Sequence, residues 1–218
     1  MKILVFGAHP DDPESGCGGL IVNAVNVGHE VHCLFATAFR EGRTFFGRPE
    51  KEVRTEEALA ACEILGATAE ILDYPHEHID VNVENRGRIT RLLLDRAPDV
   101  VIAHWPVDIH PDHRVVGTLA LDAFLSAETE FDFYYFEVMT GMQSLRFTPT
   151  HYVDITDSAE KKHQALLCHK SQQPEKCWEV HEAMHRFRGQ ECGVRRAEAY
   201  IRVERGGKSL RLLPGMIH

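Results

Sequence analysis

Apolar residues fall in short runs that alternate with helix-spaced stretches. Residues 3–6 (Ile-Leu-Val-Phe) form an unbroken apolar run, which predicts a strand over 2–8. The Pro-, Asp- and Gly-rich stretch 9–19 reads as a loop, and 20–27 as a helix closed by Gly28. Residues 30–36 predict the second strand and 37–49 a polar loop. Val53, Ala58, Ala61, Leu65 and their neighbours recur at three- and four-residue spacing, which predicts an amphipathic helix over 51–65 ended by Gly66. A short strand at 70–72, a helix at 83–96, a strand at 99–103 and a helix at 115–125 continue the alternation. Beyond it come strands at 131–138 and 152–155, then a helix over 161–169 capped by Asp157 or Ser158. A helix at 175–189 and a short element at 197–203 close the reading.

Strands alternating with helices predict an α/β, three-layer Rossmann-like fold, with a mostly parallel sheet flanked by helices and right-handed crossovers. Residues 1–125 form its core, and 126–218 supply C-terminal strands and helices that complete one domain. The chain has 218 residues, which suits one domain of this class.

Charge and composition narrow the function. The formal net charge is −9, with no basic stripe, so nucleic acid and anionic membrane surfaces are poor partners. The apolar start is too short for a secretory signal, and no window approaches the length of a membrane span. These features predict a soluble, cytoplasmic protein. The six cysteines form no C-x-x-C pair and read as free thiols, with Cys17 alone near a candidate site. No G-x-G-x-x-G follows the first strand, and the acidic loop there would repel a pyrophosphate.

Two His-Asp clusters carry the chemistry. His9-Pro10-Asp11-Asp12 follows the first strand, and Asp108-Ile109-His110-Pro111-Asp112-His113 follows the strand at 99–103. In an open parallel sheet, ligands gather outside the carboxyl ends of strands, so the two clusters can converge. His9, Asp12 and His113 would make a two-His, one-carboxylate set, which leaves a position open for water as catalytic zinc sites do. Zn2+ is the expected ion, one per chain, and Fe2+ fits the same ligands. Asp11 is the candidate general base, and His110 and Arg54 are candidate stabilisers of an oxyanion. Asp108 or Asp112 could fix a ligand imidazole by hydrogen bonding. The competing readings are plain ones: two strand-to-helix turns, and Arg54 paired with the glutamates of its own helix. Arg40, Arg43 and Arg48 could grip an anionic substrate group or sit in a solvated loop. His169 reads as a surface residue on pattern alone. Trp178, His181, His185 and Arg188 could line one helix face, packed or subunit-facing.

These motifs, together with Gly18-Gly19, Arg54-x-x-Glu57, Val153-Asp154-Ile155 and His169-Lys170-Ser171-Gln172, resemble those of the LmbE-like, PIG-L type deacetylases, in the same order over most of residues 1–175. The resemblance implies a zinc-dependent hydrolase that removes acetyl from an N-acetylglucosamine-type sugar on a small soluble aglycone. It implies the same ligands, base and oxyanion residues, and homo-oligomers, trimers or hexamers. An amidase of a thiol-sugar conjugate is the nearest alternative, and a non-catalytic metal- or sugar-binding domain is a more distant one.

Overall fold

A computed structural model of the chain describes residues 1–206 and 213–217. In chain order the elements are β1 (Lys2–Gly7), α1 (Asp12–Asn26), β2 (Glu30–Phe39), β3 (Thr44–Phe45), β4 (Arg48–Pro49), α2 (Glu50–Leu65), β5 (Thr68–Pro75) and α3 (Val83–Leu94). Then follow β6 (Val100–His104), α4 (Pro111–Ser126), β7 (Asp132–Phe136), β8 (His151–Asp154), α5 (Ala159–Leu166), α6 (Pro174–Cys192), β9 (Ala197–Val203) and β10 (Met216–Ile217). Eight strands make one sheet in the order β10-β8-β9-β7-β6-β1-β2-β5. The run from β7 to β5 is parallel, whereas β9 runs antiparallel to both β7 and β8. From β1 the chain winds outward through β2 to β5, then returns to the other side of β1 with β6. The order therefore reverses between β1 and β6, where a ligand crevice is expected.

Alternation along each strand divides the core in two. Ile3, Val5, Val100 and Ile102 face α1, α2 and α5; Leu4, Phe6, Val101 and Ala103 face α3 and α4. Both layers of helices expected from the sequence are present, and the mixed α/β fold holds.

The stretch 9–19 departs from expectation. It is not a loop, because α1 begins at Asp12 and all its residues through Val22 are buried. Pro13 suits the first turn, where its missing N–H costs nothing, and Asp12 and Glu14 complement the helix dipole. The glycines, read as loop formers, serve close packing instead. A Cβ on Gly16 would lie 2.1 Å from Phe136 Cδ2, and one on Gly19 would lie 2.3 Å from Ile155 Cγ2. Smaller departures follow the same logic. Strand β2 extends to Phe39, β5 is longer than its short apolar run, and the loop at 37–49 contains the β3-β4 hairpin. The element at 197–203 is a central strand, and among the described residues it is the one that bridges β7 to β8.

Candidate active site

β1 and β6 end level with each other, since Phe6 pairs with Ala103. The chain then turns from β1 into α1 within four residues. Ala8 N–H donates to His104 Nε2 at 2.9 Å, and His9 N–H donates to Asp12 Oδ2 at 2.8 Å. Asp11, between them, has φ 106°. A non-glycine residue held there stores on the order of 1–3 kcal/mol of strain and needs support from its surroundings. Arg54 of α2 gives that support. It is 3% exposed, its Nη2 donates to Pro10 O at 2.6 Å, and the same nitrogen lies 3.6 Å from Asp11 Oδ1. The helix-surface pairing weighed for Arg54 does not occur; the side chain crosses into the site.

The two clusters do converge. Asp12 Oδ2 lies 3.2 Å from His9 Nδ1, 3.3 Å from His113 Nε2 and 3.1 Å from His104 Nε2. The outer nitrogens of the two ligand candidates each face a carboxylate. His9 Nε2 is 2.9 Å from Asp112 Oδ2, and His113 Nδ1 is 3.2 Å from Asp108 Oδ1. Both carboxylates are anchored in turn. Asp112 accepts from Glu77 N–H at 3.0 and 3.1 Å, while Asp108 accepts from His110 N–H at 2.8 Å and from Ser144 Oγ at 3.0 Å. With their outer sides engaged, His9 and His113 turn lone pairs inward onto a carboxylate. Acceptors facing acceptors in a buried place call for a cation between them. His9, Asp12 and His113 each offer one ligand atom, all within 4.8 Å of one another, so the donor set fits a divalent ion of the zinc type.

Titration behaviour shows the same demand for positive charge. Burial alone would lower His113, but Asp12 and Asp108 overcome it and raise the imidazole to about 10. Burial would raise Asp12, but His113 and His104 hold it well below the usual carboxylate range. Protons take the place a cation would fill, and binding an ion would release them. Asp11 goes the other way. Burial raises it to about 6, against the pull of Arg54. His110 is lowered to about 4 by burial and by the neighbouring His9 and His113. Its Nδ1 accepts from Asp112 N–H at 3.2 Å, which leaves the ring proton on Nε2.

A cavity of about 230 Å³ opens over this group. His9, Asp11, Asp12, Arg54, His110 and His113 line it on one side, and Gln143, His169 and Cys177 on another. Of the three loop arginines, only Arg40 borders it. Arg48 instead pairs with Glu56 at 2.6 Å, and Arg43 lies over the Phe45 ring at 4.8 Å, so neither reaches the cavity.

Several participants escape a reading of the sequence. His76, just past β5, stacks on His9 with ring centroids 4.4 Å apart. His104 reads as the end of an apolar strand, yet it stacks on His113 at 4.0 Å. His169 is fully buried, not a surface residue, with Nε2 3.2 Å from the buried Glu14 Oε1. His181, His185 and Arg188 pack inside the chain and do not present a subunit face. Lys162 and Glu198 lie beneath α1 and pair at 2.7 Å, both essentially unexposed. His169 alone of these belongs to a motif quoted from the sequence; the others meet their partners only in the folded chain.

The comparisons with known proteins identify the family. A model of the GlcNAc-PI de-N-acetylase family, PIG-L, matches residues 4–124, a span that holds both His-Asp clusters and Arg54. The chain belongs to the PIG-L family. It is 32% identical over 217 residues to a diacetylchitobiose deacetylase of Thermococcus kodakarensis, covering 90% of this chain and 81% of that protein. It is 28% identical over 206 residues to a 4-oxalmesaconate hydratase of Pseudomonas putida, covering 85% and 79%. Among solved structures, N,N'-diacetylchitobiose deacetylase from Pyrococcus horikoshii, complexed with an inhibitor, superposes with a TM-score of 0.81 at 26% identity, covering 93% of this chain and 83% of that one. In this PIG-L chain, His169, which lines the cavity, lies beyond the matched span. Among the described residues, no helix is long and apolar enough to cross a membrane.

Proposed function

We propose that this chain is a divalent-metal-dependent N-deacetylase acting on a small soluble N-acetylated amino sugar, with zinc as the ion. The observation that carries the reading is the inward-facing set His9, Asp12 and His113, with a strained Asp11 of raised pKa beside it at the cavity wall. An ion held by those three residues would supply Lewis acidity to the acetyl carbonyl and to water.

The remaining work falls to the chain's own groups. Asp11 accepts the proton of the attacking water and returns it to the leaving amine, a task suited to a carboxylate raised toward neutrality. His110 donates from Nε2 to the developing oxyanion, its tautomer fixed by Asp112 N–H. Asp112 and Asp108 hold His9 and His113 in register. Arg54 keeps the Pro10-Asp11 turn in place, and its charge stabilises the ionised base. Arg40 borders the cavity, which supports a role for it in meeting a substrate group. The relatives named as diacetylchitobiose deacetylases support the substrate class.

The test is acetate release from N-acetylglucosamine, diacetylchitobiose and soluble N-acetylglucosamine conjugates, by wild type and Asp11→Asn. Asparagine tolerates a positive φ, so the turn survives while the base is lost. Release by the wild type should fall by about 10²–10⁴-fold in the variant. No release from any conjugate, with hydration of an unsaturated dicarboxylate instead, would replace this reading with the hydratase chemistry that the Pseudomonas relative's name describes.

A further inference from the structure

His76 has no part in the deacetylation just described, yet it is built into the site. It is 6% exposed. Its Nε2 lies 3.3 Å from Arg54 Nη1, while its Nδ1 is buried with no hydrogen-bond partner. Around it lies a second constellation of ligand atoms. His9, His76, His110 and Asp112 each offer one, all within 4.8 Å of one another. His9 belongs to both constellations and divides its two nitrogens between them, Nδ1 toward Asp12 and Nε2 toward Asp112. Asp112 Oδ2 is also 4.0 Å from His110 Nδ1. Two imidazoles and a carboxylate at this spacing form a set that zinc-type ions favour.

We propose that His76, His110 and Asp112 form a second, weaker divalent-metal site beside the first, and that filling it inhibits the enzyme. The site is weaker because the Arg54 guanidinium beside His76 repels a cation. Asp112 must also exchange its contact with His9 for the ion. It is inhibitory because its ion must take His110 Nδ1 from Asp112 N–H, which shifts the ring that donates from Nε2, and it loosens the carboxylate that orients His9. Ions with an affinity for imidazole (zinc, cobalt, nickel) belong here; magnesium and calcium, which prefer oxygen, do not. The proposal rests on the reading of His9, Asp12 and His113 as the first site.

The experiment is a cobalt(II) titration of chelator-stripped enzyme, followed by d–d absorption and by equilibrium dialysis, for wild type, His76→Ala and His113→Ala. Wild type should take up two ions per chain, the second at least about tenfold more weakly, and deacetylation should rise with the first and fall with the second. His76→Ala should take up one ion, with no fall in activity at excess metal; its uptake of that ion shows that the variant has folded. His113→Ala should lose the tight ion. Saturation of the wild type at one ion overturns the second site and leaves the first standing. A second ion retained by His76→Ala overturns it as well, and no uptake by any protein overturns both.

Discussion

Replacing Lys162 with methionine would leave a carboxylate stranded in the core. The Lys162 ammonium donates to Ser15 O at 2.6 Å, Glu198 Oε1 at 2.7 Å and His185 Nε2 at 2.8 Å, and the residue is fully buried. Methionine keeps the aliphatic stem that packs under Gly18 and removes all three bonds. Breaking a buried ion pair from one side costs about 3–5 kcal/mol. The lost bonds to Ser15 and His185 overlap with that figure, so about 4 kcal/mol is expected for Lys162→Met. At about 2–4 °C per kcal/mol for a chain of this size, the melting temperature should drop by roughly 8–16 °C. Thermal and urea melts of Lys162→Met, Glu198→Gln and the double variant check this. If the stranded charge is the cause, the double variant loses less than the sum of the singles, by about 0.5–3 kcal/mol. A single variant melting within about 2 °C of wild type, or strict additivity, would refute the reasoning.

Gly16→Ala places a methyl 2.1 Å from Phe136 Cδ2, so either the ring or α1 must move; a loss of about 1–3 kcal/mol or more is expected in urea melts, and a neutral result would contradict the packing. Burial lowers His181 to about 3, helped by the Lys162 charge. Its unfolded pKa is about 6.5, so the unfolded chain binds the proton first as pH falls, and stability is lost from about pH 6.5 downward. Between pH 7.5 and 5.5 this one group should account for about 1.4 kcal/mol, seen as a flatter stability-against-pH curve in His181→Asn; parallel curves would count against it. Arg54→Lys keeps the charge but cannot reproduce the planar fork that meets Pro10 O and Asp11, so kcat should fall on the order of 10²-fold as the Asp11 turn shifts, with the fold intact by circular dichroism. A lysine variant with full activity would show that the fork geometry is not needed.

The convergence of His9, Asp12 and His113 is legible in the sequence because both clusters end apolar strands, and strand ends in an alternating fold point to one edge. Helix boundaries are legible where periodic apolar residues meet a stop signal, as in α2, closed by Gly66 with φ 83°. The start of α1 is not legible. Gly16, Gly18 and Gly19 look like loop residues until Phe136, Lys162 and Ile155 are seen pressing on them. His104 and His76 were hidden for another reason: each stands at the end of its strand outside any His-Asp motif, and its ring partners come from distant parts of the chain. The buried pair of Lys162 and Glu198 is invisible locally, since its members lie 36 residues apart and meet only beneath α1. The loop arginines show the converse error. Proximity in sequence suggested a common task, but Glu56 of α2 had already claimed Arg48.

The position of β9 sets a schedule for the growing polypeptide. This strand enters the sheet between β7 and β8, and its Glu198 accepts the Gly19 and Leu20 N–H groups at 2.7 and 2.8 Å, 179 and 178 residues upstream. A nascent chain on the ribosome can assemble β1, β2, β5 and β6 early, but Gly19 and Leu20 of the helix bearing Asp12 gain their Glu198 partner only when residue 198 has emerged. The helix that carries the candidate ligand Asp12 is thus secured late in synthesis, when almost the whole chain is available.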